Sequence, residues 1–400
     1  MKKVLAISLG WEQEPFLVNL AKRNGFELYG LNYNNNYNKE IPFTRVECLD
    51  FRNISYAIQF AKQIKPDAVI SDEDDYGMFL QAIISNEFGL PGPQIEQAQI
   101  ACNKFIQRSV AREQGIKIPN FSLCKSSKDV LDFGEKNSYP LIIKPIDSRG
   151  SIGVSKIEHP EEINSKFLLA LYSSPSLLTI VEQYIEGEHF NVDGYCFDGK
   201  GLKSLAVSQN SKLTESKGII NDSIVYGSTD SNIRKSLMKQ AEKVANFFGY
   251  NFGFFHGEFI RSRETGEIFL TEMANRGGGI LISQKILPFT TKLPLADIYI
   301  NDCLGNSNLY DYYLESREDY ARIDFVSLES GRVFKGLDKN PILEYEKDII
   351  DIVPFLSIGD TIPKVENGSK RHIMILSSIR DEEKLNIVKS LVKSEVYSDE

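Results

Sequence analysis

The stretch FFHGEFIRSRETGEIFLTEMANRGGG, residues 254–279, decides how this chain reads. Apolar and polar residues alternate on either side of Glu264-Thr265-Gly266, the pattern of two antiparallel strands joined by a tight loop. With those three residues as the loop and Gly266 in the left-handed conformation, Arg263 pairs with Glu267. Counting outward in that register, Glu258 falls directly opposite Glu272. Both carboxylates then share one face, with Cβ atoms about 5 Å apart. Opposed anions destabilise a sheet unless a cation sits between them or one takes up a proton. The pair therefore predicts a hard divalent cation, and magnesium suits it, because magnesium keeps several waters and shares its shell with substrate phosphates. In another register the two acids would lie apart on an exposed edge. Beyond Glu272 come Arg276 and Gly277-Gly278-Gly279, a cation followed by backbone bare enough to approach an anionic ligand.

A second anion-binding pattern lies upstream in YPLIIKPIDSRGSIGV, residues 139–154. Lys144 falls inside an apolar strand, where an unpaired charge costs several kcal/mol, and a nucleotide phosphate is a natural partner. Gly150, Ser151 and Gly153 form a loop that can fold over a phosphate with backbone N–H groups. The spacing is not that of a Walker loop. Next comes LTIVEQYIEGE, residues 178–188, a strand running into an acidic turn. An adenine needs a backbone donor and acceptor at such a hinge, and a ribose diol needs a carboxylate such as Glu188, which read alone is a surface acid.

The first 90 residues alternate between strand and helix patterns: strands at 4–9, 27–31 and 68–71, helices at 12–23 and 55–64. That alternation predicts a parallel α/β sheet. Gly10 alone follows the first strand, so a dinucleotide fingerprint is missing. The Asn-rich run 32–38 reads as a surface loop. SDEDD, residues 71–75, sits where N-caps belong, with substrate binding as the alternative. A single helix is expected over 95–114, ended by Gly115, and another over 381–393. The domain boundaries expected are 1–94, 95–305 with a lid at about 117–187, and 306–400.

The chain has 46 basic and 55 acidic residues, for a net charge of −9, and no basic run, which argues against nucleic acid as a partner. The five cysteines are widely spaced, with neither a disulfide framework nor a zinc knuckle implied, and fit a reducing cytoplasm. MKKVLAISLG reads as a first buried strand rather than a signal peptide, and no window suits a membrane span.

Together, in this order and spacing, these residues resemble the ATP-grasp superfamily of ADP-forming carboxylate–amine ligases, nearest the branch of bacilysin-synthetase-like L-amino-acid ligases. The resemblance implies an α/β ATP-grasp fold with an N-terminal Rossmann-like domain, a two-lobed nucleotide-binding region and a small C-terminal α+β domain. It implies ATP and Mg²⁺, or Mn²⁺, as cofactors. By the same resemblance Lys104 and Lys144 contact the nucleotide, Glu182 takes the adenine amino group, and the backbone of Gln183, Tyr184 and Ile185 frames the ring. Glu188 holds the ribose, Gly150, Ser151 and Gly153 close over the phosphates, and Glu258 and Glu272 bind the metal. Arg276 stabilises the transferring phosphate, with Lys144 and Ser151 beside it in catalysis. Many relatives carry a further ligand, Asn, two residues after the second glutamate. Here that position is Ala274, and Asn275 is displaced by one.

The implied reaction phosphorylates a small-molecule carboxylate and lets an amine displace phosphate from the acyl phosphate. His256 shares a face with Glu258 and reads either as a contact to substrate, as a base for the amine, or as a neighbour in a polar network. Dimerisation is expected on family grounds. Two other readings stand beside the ligase: chemistry on bicarbonate like that of N5-carboxyaminoimidazole ribonucleotide synthetase, and an ATP-binding module without turnover.

Overall fold

The computed structural model describes residues 1–72, 74–148, 150–197, 201–213, 219–306, 318–338 and 340–396, so Glu73 and Arg149 lie outside the described residues. Four parallel strands open the chain, β1 (Lys2–Ile7), β2 (Phe26–Asn32), β3 (Phe43–Cys48) and β4 (Ala68–Ile70), in the order β3-β2-β1-β4. Helices α1 (Glu14–Ala21), α2 (Ile54–Ile64) and α3 (Asp75–Phe88) alternate with them. Val4, Leu5, Ala6 and Ile7 are wholly buried, as a strand covered on both faces requires. Strand β3 is the element the sequence pattern hides: FTRVEC lies at the sheet edge with partly exposed side chains, so no apolar run marks it. Asp74 caps α3, accepting hydrogen bonds from the amides of Tyr76 and Gly77.

The single helix expected over 95–114 is two, α4 (Ile95–Cys102) and α5 (Lys104–Glu113). Asn103 ends the first and caps the second, its side chain accepting from the amides of Phe105 and Ile106. An asparagine that bonds backbone amides in this way competes with helix continuation. The break makes Lys104 the first residue of a helix.

A four-stranded antiparallel sheet forms the next lobe: β5 (Phe121–Cys124), β6 (Leu141–Pro145), β7 (Ser155–Ile157) and β8 (Thr179–Gln183), ordered β5-β8-β6-β7. Helices α6 (Ser127–Asn137) and α7 (Ile163–Tyr172) close its own core around Val130, Ile143, Phe167 and Val181.

The largest sheet has eight strands: β9 (Gly187–Phe197), β10 (Gly201–Lys212), β11 (Asn221–Tyr226), β12 (Gly253–Ser262), β13 (Ile268–Ala274), β14 (Ala321–Val326), β15 (Ile349–Pro354) and β16 (Ile373–Ser377). Their order is β13-β12-β9-β10-β11-β14-β16-β15. The sheet continues from β11 into β14, across the position where a boundary at 305/306 is expected from the sequence. One core accordingly joins Val4 and Ala6 to Phe254, Leu281, Met374 and Leu376. Helices α9 (Leu287–Thr291) and α10 (Leu295–Cys303) join that core, whereas α8 (Ser231–Phe247) packs in a second one with Val192, Val207 and Phe255, and α11 (Glu382–Val396) in a third with Ile352, Ile373 and Ile375. All five cysteines are free, and among the described residues no helix is long and apolar enough to cross a membrane.

Candidate active site

The β12–β13 hairpin places Glu258 opposite Glu272, as the sequence count expects. The route to that register differs. Ser262, not Arg263, pairs with Glu267, and Gly266 (φ 71°) closes a four-residue loop by donating its amide to Ser262 O. Phe259 then faces Leu270, and Thr271 bulges out, which restores the Glu258–Glu272 pair. The bulge is held from two sides: Thr271 Oγ1 donates to Glu258 O at 3.0 Å, and Arg108 Nη2 donates to Thr271 O at 2.5 Å.

Lys104 serves the same place from the start of α5. Its Nζ lies 3.1 Å from Glu272 Oε1 and donates to Ser148 O at 2.8 Å, so it joins one acid to the root of the glycine loop. Burial lowers the Lys104 ammonium, but the charges of Glu272, Asp75 and Glu258 outweigh that and raise it. One turn further on, Arg108 is completely buried and donates from Nε to Glu182 Oε1 at 2.6 Å. Lys144 Nζ holds the other oxygen of Glu182 at 2.7 Å. The partner of the buried lysine in the strand is therefore a carboxylate, where the sequence suggested a phosphate. Burial pushes the Lys144 ammonium down and the Arg108 and Lys104 charges add to this, against the pull of Glu182. Glu182 is itself lowered, because Arg108 and Lys144 override its burial.

Each oxygen of Glu182 thus already accepts from a cation, and each keeps a lone pair for a further donor. At the hinge the amides of Gln183 and Tyr184 are spent within the fold, on Asn120 O and Pro140 O. Among the described residues Ile185 is left as the hinge amide for a ligand. Glu188, 38% exposed, is steadied by Arg261 Nη1 at 2.9 Å and Gln209 Nε2 at 3.3 Å. In the loop after β6, Gly150, Ser151 and Gly153 all have positive φ (62°, 58° and 74°), the left-handed backbone of a tight turn.

The N-terminal unit supplies the far wall. Arg276 Nε donates to Asp75 Oδ1 at 2.6 Å and its Nη1 to Gly277 O at 2.8 Å. Asp75 opens α3, so a helix of the first unit aims an arginine of the third sheet. Asp72 receives Gly277 N at 2.7 Å and Ser283 Oγ at 2.6 Å. Burial pushes Asp72 up to about 7 despite those bonds and the charge of Arg276. Glu12 Oε1 accepts the Ile280 amide at 2.7 Å. The acidic run thus both caps, through Asp74, and lines the cleft, through Asp72 and Asp75.

His256 Nδ1 lies 2.6 Å from Asp193 Oδ1, and its Nε2 lies 3.8 Å from Glu258 Oε1. Tyr226 holds the other oxygen of Asp193 at 2.8 Å. Burial lowers the imidazole, but the charge and hydrogen bond of Asp193, then those of Glu258, raise it to about 10. Held as a cation by those neighbours, the imidazole fits the polar-network reading better than that of a base for the amine. Burial raises Glu258, and the His256 contact with the charges of His256, Lys212 and Lys104 brings it down to about 2. A carboxylate held ionised with a second carboxylate opposite it fits a hard cation. Among the described residues no group of three or more His, Cys, Asp or Glu closes a cage of its own, which leaves positions for phosphate and water. Asn275 Nδ2 donates to Phe252 O and Phe254 O, and its buried Oδ1 has no hydrogen-bond partner among the described residues.

The family signature described as the ATP-grasp domain covers residues 137–284, the span from the lid helix to the loop after Arg276. Residues 137–284 are an ATP-grasp domain. The chain is 25% identical over 318 residues to the L-arginine-specific L-amino acid ligase of Bacillus subtilis, covering 78% of this chain and 75% of that one. The crystal structure of an L-amino acid ligase from Bacillus licheniformis superposes with a TM-score of 0.79 at 19% identity, covering 99% and 98% of the two chains. The N5-carboxyaminoimidazole synthetase of Staphylococcus aureus with ADP gives 0.73 at 13% identity, over 97% and 96%. The ATP-grasp fold therefore extends beyond the domain signature to nearly the full chain. Arg108 and Asp193 serve this site, on Glu182 and His256, and Lys212 acts on Glu258 by its charge, without having been singled out in the sequence. Arg108 alone leaves a signal, standing four residues after Lys104 on one helix face.

Proposed function

We propose that this protein is an ATP-dependent, ADP-forming ligase that joins a carboxylate to an amine through an acyl phosphate. The reading rests on one constellation: Glu258 and Glu272 paired on one face, with Lys104 on Glu272 and Arg276 set by Asp75 at the same cleft. A divalent cation on the two glutamates, magnesium or manganese, would neutralise the phosphates of ATP. Lys104 binds those phosphates, Lys144 offers them the ammonium donors it does not spend on Glu182, the Gln183–Ile185 backbone and Glu188 hold the nucleoside, and Arg276 offsets the charge on the phosphoryl group in flight. Phosphoryl transfer is catalysed largely by such positioning and charge stabilisation. An acyl phosphate hydrolyses in water, so the Ser148–Gly153 loop acts as the lid that excludes it.

A substrate oxygen attacks the γ-phosphorus and ADP leaves; the amine nitrogen then attacks the acyl carbon and phosphate leaves. His256 stays protonated throughout and steadies Glu258. The L-amino acid ligase relatives support amino acids as the substrate class. The free cysteines suit a reducing cytoplasm, and a homodimer agrees with the family resemblance.

The test is ADP release with Mg²⁺ and ATP across a matrix of carboxylates and amines, bicarbonate included, with Glu272→Ala and Arg276→Ala as controls. Release that requires one carboxylate and one amine, and is lost in both variants, is the expected result. Release driven by bicarbonate alone, or tight MgATP binding without turnover on any pair, would replace the ligase reading with a carboxylase or a binding module.

A further inference from the structure

The loop that follows Arg276 does not take a relaxed path. After Gly277, Gly278 and Gly279 come Ile280 (φ 60°) and Leu281 (φ 63°), two successive left-handed residues that both carry a Cβ, the first of them β-branched. That conformation is costly for any residue but glycine and persists only where the surroundings impose it. A wide turn comes next, in which the Ile286 amide donates to Leu281 O, five residues back, at 3.2 Å. The three glycines ahead of it have no side chains with which to pin the backbone.

The N-terminal unit supplies the pins. Asp72 Oδ1 accepts the Gly277 amide at 2.7 Å, and Asp72 Oδ2 accepts Ser283 Oγ at 2.6 Å and Gln284 Nε2 at 3.2 Å. One carboxylate thus ties the two ends of the strained stretch together. Glu12 Oε1 holds its middle, at the Ile280 amide, and Asp75 holds the Arg276 side chain. Asp72 is 3% exposed and is itself fixed: its amide donates to Gln13 Oε1 at 2.7 Å, and Gln13 Nε2 donates to Ile7 O and Ser8 O at the end of β1. The loop side has no slack either. A Cβ on Gly277 would clash with Ser283 Oγ and fall 2.7 Å from Asp72 Oδ2, and one on Gly278 would fall 2.8 Å from His256 Nδ1 and 3.1 Å from Asp193 Oδ1. The loop is therefore packed between the carboxylates of the first unit and the His256–Asp193 pair beside Glu258.

We propose that Asp72 is a positioning residue for the reaction: it holds loop 277–284 in its strained path and so keeps Arg276 where the phosphoryl group passes. The inference rests on the ligase reading above. Asp75 aims the guanidinium, but the backbone that carries it adjoins three glycines, and a misplacement of about 1 Å can cost about a hundredfold in rate. Asp72 acts through Gly277 and Ser283 and touches no substrate. The nucleotide is held by other groups, so loss of Asp72 falls on turnover rather than on ATP binding.

The test uses the full chain with MgATP and a pair of substrates found in the ADP-release matrix. Asp72→Ala should lower kcat by about tenfold or more while KM for ATP stays within twofold. Asp72→Asn should recover part of the loss, because a carboxamide oxygen still accepts the Gly277 amide. Gly277→Ala, which displaces the same contact from the loop side, should repeat the split and gives the reading if Asp72→Ala does not fold. Val388→Ala, a cavity in the separate core around α11, serves as a control for lost stability alone and should leave kcat within twofold. Hydrogen exchange of segment 276–284 in the ligand-free protein provides a readout independent of turnover: it should quicken about tenfold or more in Asp72→Ala and stay as in wild type in Val388→Ala. If no pair releases ADP, the ligase reading fails, and exchange that quickens only in the Asp72 and Gly277 variants still supports Asp72 as the residue that holds the loop. An unchanged kcat in Asp72→Ala, an equal loss in Val388→Ala, a change confined to KM for ATP, or exchange in Asp72→Ala equal to that of wild type would overturn the assignment.

Discussion

Arg108 donates to Glu182 at 2.6 Å and, with another nitrogen, to the carbonyl of Thr271 at 2.5 Å. One wholly buried guanidinium therefore links the hinge acid, at the adenine end, to the bulge that sets the register of the acidic pair. Arg108→Met leaves Glu182 with Lys144 as its remaining cation and frees the bulge. Breaking a buried pair from one side costs about 3–5 kcal/mol. Urea denaturation should show a loss of that size, with nucleotide affinity falling as well; a stability change under 1 kcal/mol would mean the link is dispensable.

The two acids and Asn275 should separate cleanly. Glu258→Gln and Glu272→Gln each remove one charge from the metal-type pair, and Glu272→Gln also unpairs Lys104. Calorimetric titration with Mn²⁺ and a non-hydrolysable nucleotide should weaken by about tenfold or more in either. Asn275→Ala should lose about 1–2 kcal/mol of stability, because two backbone carbonyls lose their donor, yet bind the metal–nucleotide complex as wild type does. Weakened metal binding in Asn275→Ala would make it a ligand after all.

The His256 imidazolium titrates far above its usual range. Its folded value of about 10 exceeds the ordinary imidazole value of 6.5, so its contribution to stability is fully present below about pH 6.5 and is lost as pH rises through 10. In the metal-free protein, nuclear magnetic resonance should find the ring protonated at pH 8. Asp193→Asn should bring its titration down toward neutrality and flatten the loss of stability between pH 7 and 10. A ring that titrates near 6.5 in wild type would contradict this.

The lid loop depends on Gly153. Its φ of 74° costs an L-residue about 1–2 kcal/mol. A Cβ there would also come within 2.5 Å of Ser173 Cβ and 2.9 Å of Pro145 Cγ. Gly153→Ala should therefore hold the lid from closing, slow the reaction about tenfold, and expose the acyl phosphate to water. The checking measurement is the ratio of amide formed to ADP released, which should fall below one.

Much of this site is legible in the sequence, though not always for the right reason. Glu258 meets Glu272 because a loop one residue longer than expected and a bulge at Thr271 cancel, and nothing in alternating apolar residues records a bulge. The helix break at Asn103 is likewise invisible, since an asparagine within a polar helix looks like any surface position until its side chain is seen to cap. Strand β3 hides because an edge strand needs no apolar face on both sides. Lys144 is legible as a buried charge, but its partner Glu182 is set by the pairing of β6 with β8, and the aim of Arg276 by an aspartate some 200 positions away, a contact that only the assembled fold creates.

The central claim is that a substrate carboxylate is phosphorylated, and isotope transfer tests it most directly. The carboxyl substrate identified in the ADP-release matrix, labelled with ¹⁸O in both carboxylate oxygens, is turned over with MgATP and the amine, and the phosphate is analysed by mass. The account predicts one ¹⁸O atom in each phosphate released, with Arg276→Ala forming that labelled phosphate about a hundredfold or more slowly. Phosphate free of label, with amide still formed, would contradict an acyl phosphate and with it the reading of this cleft.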